Sequence, residues 1–304
     1  MRKVWWLVRQ TVLGFIEDDA LSRGAAIAFY TVTSLAPVLI IAIAIAGLAF
    51  GEDAARGAIV SQLGGLMGKS GAELVQSIIL SASNPTSGLL ASAFGFFTLL
   101  LTASGVFGEI QNSLNVIWHT RPKGDTVSRL IRARALSLGL VATLGFLLLV
   151  SLVVSAALSA LGNMLDTRLP EVAFFVRLAN TVISFALITV LFAAIYKLLP
   201  DRRLEWRDVM VGAVMTTLLF NLGKALIGLY LGSSAINSTY GAAGSAVIVL
   251  LWIYYSAQIF LLGAEFTKAY AIWRDAEAWE AQSGHVPSPE EVPERPPIIL
   301  PPMS

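Results

Sequence analysis

The fold is decided first by residues 25–50, which read AAIAFYTVTSLAPVLIIAIAIAGLAF and contain no charged side chain. An α-helix needs about 20 apolar residues to cross the roughly 30 Å hydrocarbon core of a bilayer, so this run predicts a spanning helix. Pro37 lies inside the run and is expected to kink that helix. Five further runs of similar length and character follow it along the chain. The six predicted spans cover residues 25–50, 88–108, 135–162, 174–197, 209–231 and 244–268.

The composition agrees with a membrane protein and excludes several kinds of site. Of the 304 residues, 56% are hydrophobic and only 13% are charged, against about 25% charged in soluble domains. A net charge of +1 gives no global basic field for nucleic acid. The chain has no cysteine and two histidines, which removes thiolate sites and leaves little for a histidine site. We therefore expect no metal, no cofactor and no nucleic-acid partner, with membrane lipids as the main surroundings.

Two segments outside the spans show apolar residues at helical spacing. Residues 2–17 predict one amphipathic helix at the membrane interface, and residues 52–83 predict two short ones. Residues 269–281 are expected to extend the last helix into water. The fold class is therefore an all-α polytopic bundle of six transmembrane helices plus interfacial helices, forming a single domain over residues 1–281. Residues 282–304 are rich in proline and predict a disordered cytoplasmic tail.

The basic residues predict the orientation, because short cytoplasmic loops carry an excess of Lys and Arg. Of the 21 basic residues, 16 fall on the side that holds both termini and the loops after the second and fourth spans. Four fall on the other side, and Lys224 lies within a span. This alternation matches six spans and places both termini in the cytoplasm. The four on the other side are Arg56, Lys69, Arg168 and Arg177.

Lys224 is the charged residue inside the fifth predicted span. A charge at the centre of a bilayer costs about 2.5–3.5 kcal/mol on insertion scales, so such residues are candidates for function. Asn180 in the fourth span is expected at a similar depth and could contact it. Two interpretations stay open, a lysine that extends outward to the interface and a polar cavity between the helices.

Glu265 lies near the cytoplasmic end of the sixth predicted span. Arg23, at the cytoplasmic start of the first span, is its expected partner, and Glu109 at the end of the second span could compete for that cation. Glu265 and Glu109 are interpreted either structurally, as members of an ion pair or as end residues that extend to the interface, or as a functional site with Arg23.

Tyr240 and Gly241 lie just before the sixth span, within the segment 232–243, which carries no charge. Glycine permits backbone conformations that other residues avoid. The segment is interpreted either as a turn outside the membrane or as one that enters it, where irregular backbone must be buried in protein or line water.

A polar amide in the membrane needs a hydrogen-bond partner, and Gln258 lies in the sixth span beside Tyr254. Its candidate partners are Tyr30 and Ser34 in the first span, together with the carbonyl that the Pro37 kink would release. With Asn180, Lys224, Tyr240 and Gly241, these residues form the candidate intramembrane polar site.

Three separated stretches resemble signatures of the YihY/BrkB family. They are RGAAIAFYTVTSLAP at residues 23–37, YKLLPDRRLEWRD at residues 196–208 and WIYYSAQIFLLGAEFT at residues 252–267. The resemblance covers about residues 10–275 and implies a bacterial inner-membrane protein of six spans. It also implies a role in the cell envelope, since members are linked by name to virulence, serum resistance and the lipid side of envelope biogenesis.

Some relatives in that family carry the label ribonuclease BN, but the residues argue against an enzyme here. A metal-dependent nuclease needs several carboxylates or histidines around one or two ions, and His119 is a lone loop histidine. Two functions remain: transport or flipping of a lipid or amphipathic envelope molecule, or a membrane scaffold for envelope assembly. A homo-oligomer and envelope-assembly proteins are the candidate partners. A channel is disfavoured because no ring of charges is evident.

Overall fold

The computed structural model of the chain describes residues 2–82, 105–120, 170–233 and 244–283. Every regular element in these ranges is an α-helix, which confirms the all-α class. The helices are α1 (Arg2–Glu17), α2 (Ala20–Phe50), α3 (Glu52–Ala82), α4 (105–117), α5 (Pro170–Leu198), α6 (Trp206–Ser233) and α7 (Gly244–Ser283).

Three helices in the described part of the chain are long and apolar enough to cross a membrane. They coincide with the last three predicted spans, and α2 is helical throughout the first predicted span. Predicted spans 88–108 and 135–162 lie outside the described residues except for residues 105–108, so the count of six stays a prediction. The three candidate spans are Leu178–Leu198, Trp206–Ile227 and Ala246–Ala276.

A short break at Asp18 and Asp19 separates α1 from α2. Asp19 has φ 52°, in the left-handed region that aspartate tolerates better than most residues. The helix of α1 therefore stops here and restarts as α2. The helix predicted over residues 2–17 is confirmed as α1, and α2 continues unbroken through Pro37.

Helix α3 bends sharply in its middle. A Cβ atom on Gly64 would lie 3.0 Å from the Cβ of Ala72, whereas eight residues of straight helix rise about 12 Å. Side chains on both sides of the bend, such as Ile59 and Ile79, belong to one apolar cluster with Leu39 and Ile43 of α2. The two short helices predicted over residues 52–83 thus correspond to two arms of one helical element.

Helix α7 is the shared partner of the described bundle, because α1, α2, α3 and α6 all pack against it. At 40 residues it is about 60 Å long, twice the hydrocarbon thickness. The helical extension predicted over residues 269–281 is confirmed, since α7 continues to Ser283. Its position in water stays a prediction, because the candidate span Ala246–Ala276 includes its first part. The residues of the predicted tail after 283 lie outside the described part of the chain.

Helices α6 and α7 run antiparallel and cross through two matched Gly–Thr pairs. A Cβ on Gly212 would lie 2.7 Å from the Cβ of Thr267, and one on Gly263 would lie 2.9 Å from the Cβ of Thr216. Each threonine hydroxyl donates to the carbonyl of the glycine one turn earlier in its own helix. Small residues let helix backbones approach closely in membranes, so this crossing fixes α6 against α7.

Candidate functional site

Four ionisable side chains meet where the α1–α2 break, the end of α4 and helix α7 come together. We call Asp18, His119, Glu265 and Lys268 the acid–base cluster. The Lys268 Nζ lies 3.0 Å from Asp18 Oδ2 and 3.0 Å from His119 Nε2. It also lies 3.7 Å from Glu265 Oε2. The Lys268 ammonium therefore contacts two carboxylates and an imidazole.

Glu265 is the most deeply buried member of the acid–base cluster, with 1% of the residue exposed. Helix α1 lies directly against it, since a Cβ on Gly14 would be 3.0 Å from Glu265 Cδ. The Asp18 carboxylate shares the Lys268 cation with Glu265. The second oxygen, Glu265 Oε1, is buried without a hydrogen-bond partner in the described part of the chain.

The structure gives Glu265 a different partner from the predicted one. Arg23 Nε donates to the main-chain oxygen of Asp18 over 2.8 Å, so the guanidinium stabilises the end of α1. Free carbonyls at a helix end attract such cations. The cation that faces Glu265 is Lys268, one turn away on the same helix. Glu109, the proposed competitor, is half-buried on α4.

The loop between α5 and α6 is held by side chains at the end of α4. Asn115 Nδ2 donates to Asp201 Oδ2, and Asn115 Oδ1 accepts from the main-chain nitrogen of Asp201, each over 2.9 Å. Arg202 lies with its guanidinium 5.6 Å from the centre of the Trp118 ring. These contacts fix the start of α6 relative to His119.

A separate ion cluster surrounds Arg274 on α7. Its guanidinium lies 2.8 Å from Asp208 Oδ1, and Asp208 is almost completely buried at the start of α6. Glu205 and Asp275 complete the cluster from more exposed positions. This cluster ties the beginning of α6 to α7 at the same end of the bundle as the acid–base cluster.

Gln258 contacts the start of α2, about two turns or more before the predicted partners Tyr30 and Ser34. Its Nε2 donates to the Leu21 carbonyl over 3.3 Å, and a Cβ on Gly24 would lie 2.8 Å from Gln258 Cδ. The described hydrogen bond thus goes to the start of α2, not to Tyr30 or Ser34. Gln258 Oε1 is buried without a hydrogen-bond partner among the described residues.

The other predicted residues of α2 and α7 are dispersed. Ser34 Oγ donates within its own helix to the Tyr30 carbonyl over 2.6 Å. Tyr30 is 40% exposed as a residue, and its ring packs on α4, where a Cβ on Gly105 would lie 3.1 Å from the ring. Tyr254 packs on the apolar group around Ile253. The structure does not gather these residues and Gln258 into one site.

Lys224 is exposed on α6, and among the described residues no acid lies within ion-pair distance of it. Asn180 is half-buried, and its Oδ1 has no hydrogen-bond partner in the described ranges. Asn180 lies nine residues before Thr189, half a turn around α5, and Thr189 donates to Thr217 of α6. The structure therefore does not bring Asn180 to Lys224. Tyr240 and Gly241 lie outside the described residues.

Sequence reasoning missed three members of the acid–base cluster and the glycine that packs on it. Asp18 and Lys268 were not singled out, and His119 was treated as isolated. The signal was present in part, because Glu265 and Lys268 are three residues apart, a spacing that pairs charges on a helix. In the described part of the chain, no group of three or more acids or histidines could hold a metal ion.

Comparison with known proteins identifies the family of the chain. Residues 11–284 match the family described as Virulence factor BrkB. The UPF0761 membrane protein of Verminephrobacter eiseniae (strain EF01-2) is 32% identical over 272 residues, 86% of this chain and 62% of the relative. That of Janthinobacterium sp. (strain Marseille) is 30% identical over 263 residues, 86% of this chain and 57% of the relative. No solved structure matches the chain.

Relatives of this name differ in length. The chain spans about three fifths of the two proteins above. It covers 84% of the UPF0761 membrane protein PSHAa0171 of Pseudoalteromonas translucida (strain TAC 125), to which it is 27% identical over 265 residues. The family match extends from α1 to the end of α7, across all three candidate spans. The chain is a membrane protein that belongs to the Virulence factor BrkB family.

Proposed function

We propose that the chain moves an amphipathic molecule with an anionic headgroup across the bacterial inner membrane. The observation that carries this proposal is Lys224, an exposed cation inside the apolar span Trp206–Ile227. A cation in lipid is costly unless it has a counter-charge. The described residues offer Lys224 no acid, and the phosphate of a lipid would supply one.

The surroundings of Lys224 suit the two halves of a lipid. Gly223, the preceding residue, packs on Tyr255 of α7, where an added Cβ would lie 2.9 Å from the phenolic oxygen. A cation and a hydroxyl therefore lie at the same level of the α6–α7 pair. On another side of α6 there is an exposed apolar face, which acyl chains could follow. It consists of Leu218, Leu222 and Leu226.

The position along the span also supports movement between two ends. Lys224 lies 18 residues after Trp206, about 27 Å along α6. The Arg274–Asp208 ion pair and the acid–base cluster lie at the opposite end of α6 and α7. A headgroup that moves through the bilayer would thus find polar groups near both ends of its path.

Replacing Lys224 with alanine is expected to slow translocation of a labelled anionic phospholipid about tenfold or more. The loss of one hydrogen bond to a charged group costs about 1.5–3 kcal/mol, and each 1.36 kcal/mol is tenfold in rate. The measurement is the rate at which fluorescent phosphatidylglycerol in proteoliposomes becomes accessible to a quencher added outside.

Two variants make this experiment specific. Lys224→Arg keeps the charge and should retain most of the rate, and Val190→Ala, an exposed apolar residue of α5 outside the proposed path, should behave as native. Equal rates for native protein and Lys224→Ala, at equal incorporation, would exclude Lys224 as a headgroup site and remove the basis of the proposal.

A membrane scaffold is the second candidate, favoured by the outer face of α1. Its apolar residues lie one turn apart and are exposed, with Trp5 at 71%. A protein partner or the lipid interface could cover them. The exposed residues are Val4, Trp5, Val8, Val12 and Ile16.

Photo-crosslinking in living cells separates these two coverings of α1. A photoreactive residue in place of Trp5 is expected to give phospholipid adducts if α1 lies on the membrane. A scaffold would instead give one protein adduct of discrete mass, which would count against transport as the main role. Thr11, which is buried, is the control position and should give neither product.

A further inference from the structure

We propose that Glu265 is the proton-binding site that couples this transporter to the transmembrane proton gradient. The inference rests on the transport function proposed above and names its coupling ion. It follows from the burial of Glu265, from its unpartnered oxygen and from a chain of titratable groups that joins it to the surface of the bundle.

The first argument is that the described surroundings of Glu265 accommodate its protonated form. A buried carboxylate is costly unless ion pairs and hydrogen bonds satisfy it. Glu265 is 1% exposed, its cation Lys268 is 3.7 Å away, and Oε1 has no described partner. Protonation removes the charge and turns an acceptor-only carboxylate into a group that also carries a hydrogen-bond donor.

The second argument is a graded path from the surface to Glu265. The side chains of His119, Lys268 and Asp18 are 66%, 19% and 10% exposed. His119 Nε2 and Asp18 Oδ2 each lie 3.0 Å from Lys268 Nζ, and Lys268 Nζ lies 3.7 Å from Glu265 Oε2. Histidine is the side chain best suited to exchange protons with water near neutral pH.

The proton transfers balance along this path. Lys268 passes one proton to the Glu265 carboxylate and becomes a neutral amine beside the Asp18 carboxylate. His119, protonated from water, returns a proton to that amine across the 3.0 Å contact between Nε2 and Nζ and becomes neutral again. The net change is one proton taken from water and held by Glu265.

The charged groups around Glu265 come from several elements. Lys268 faces it from α7 and Asp18 from the α1–α2 break, while His119 after α4 and Arg23 of α2 each contact Asp18. From α6, Asp208 pairs with Arg274, nine residues or about 13 Å along α7 from Glu265. The described group that can exchange a proton with Glu265 directly is thus Lys268.

The third argument is that a change of charge at Glu265 acts directly on the backbone. Gly14 brings α1 against the Glu265 carboxyl, four residues before the break at Asp18. Asp19 holds the left-handed conformation that ends α1. Protonation would weaken the ion pair between Lys268 and Glu265. Because Gly14 packs on the Glu265 carboxyl, this would change how α1 packs beside α2. This connects proton binding to a joint between helices.

Infrared titration of the purified protein in lipid nanodiscs tests the proton site without any transport assay. The native protein is expected to show a carboxylic acid C=O band that appears as pH falls and shifts in D₂O. Glu265→Gln should lose that band, and Glu109→Gln, which removes a half-buried acid of α4, should keep it. A band that persists unchanged in Glu265→Gln would overturn the assignment.

A pH gradient across proteoliposomes tests the coupling. With one proton per lipid, one pH unit corresponds to 1.36 kcal/mol, so the native protein should accumulate the labelled lipid up to about tenfold. Glu265→Gln should lose accumulation of the lipid but still exchange lipid between the leaflets. His119→Ala should slow the accumulation. If the native protein translocates lipid to the same extent with and without the pH gradient, coupling is refuted and the transport proposal stays intact. Absence of translocation by every variant would refute transport, while the infrared titration still decides whether Glu265 binds a proton.

Discussion

Gly263→Ala is expected to destabilise the bundle by about 1–3 kcal/mol, the usual cost of forcing extra atoms into a packed core. The new methyl group would lie 2.6 Å from the Tyr196 hydroxyl oxygen and 2.9 Å from the Cβ of Thr216. Neither neighbour can move freely. The Tyr196 hydroxyl donates to the Phe260 carbonyl over 2.7 Å, and it contacts the Thr216 hydroxyl at 3.0 Å. The methyl group would therefore push α6 away from α7.

Gly57→Ala is the matched control for this substitution. Gly57 lies in α3 with no atom within 4 Å of its would-be Cβ, and Gly to Ala in a helix interior stabilises by roughly 0.5–1 kcal/mol. The two substitutions should thus shift stability in opposite directions. The measurement is the free energy of unfolding from circular dichroism during titration of mixed micelles with a denaturing detergent. A Gly263→Ala variant as stable as Gly57→Ala would contradict the close approach of α6 and α7.

Arg274→Met is expected to cost about 3–5 kcal/mol, the typical effect of removing one partner of a buried ion pair. Its carboxylate partner, Asp208, is 2% exposed at the side chain and would be left without that cation. The pairs with Glu205 and Asp275 are more exposed and contribute little by comparison. The expected result is loss of the fixed contact between the start of α6 and α7.

A rescue and a control identify the cause of that loss. Asp208→Asn in the Arg274→Met background removes the buried carboxylate charge that has lost Arg274 and should recover a large part of the stability. Arg203→Met removes an exposed arginine of the α5–α6 loop and should change stability by less than about 0.5 kcal/mol. Thermal denaturation in nanodiscs gives the ranking. Equal melting temperatures for Arg274→Met and Arg203→Met would show that Arg274 does not stabilise the junction.

The apolar runs predicted the helices well. Runs at 174–197, 209–231 and 244–268 lie within α5, α6 and α7, because a helix in lipid is defined by a long uncharged stretch. The spacing of apolar residues over 2–17 likewise predicted α1. Helix boundaries were less accurate: α2 begins at Ala20 rather than residue 25, because polar residues of its first turn also form part of the helix.

The candidate site was harder to predict than the helices. Arg23 and Glu265 were paired because both lie at the same predicted end of the bundle. Depth alone does not give the rotation of each helix about its axis, and the break at Asp18–Asp19 turns Arg23 back toward the end of α1. The same limit applies to Gln258, whose described partner is a backbone carbonyl, Leu21. A backbone partner leaves no signature in the side-chain sequence.

The role of α7 as common partner has a consequence for biosynthesis. It is the last described helix to leave the ribosome, yet α1, α2, α3 and α6 all pack on it. At about 5–20 residues per second, α1, α2 and α3 wait on the order of 10–50 s for their shared neighbour, and α6 waits about 3–10 s. During that interval the surfaces around Gly24 and Gly212 face lipid or the insertion machinery. Premature termination before residue 244 therefore harms the whole assembly rather than its last segment, and leaves membrane proteases an unfinished product to remove.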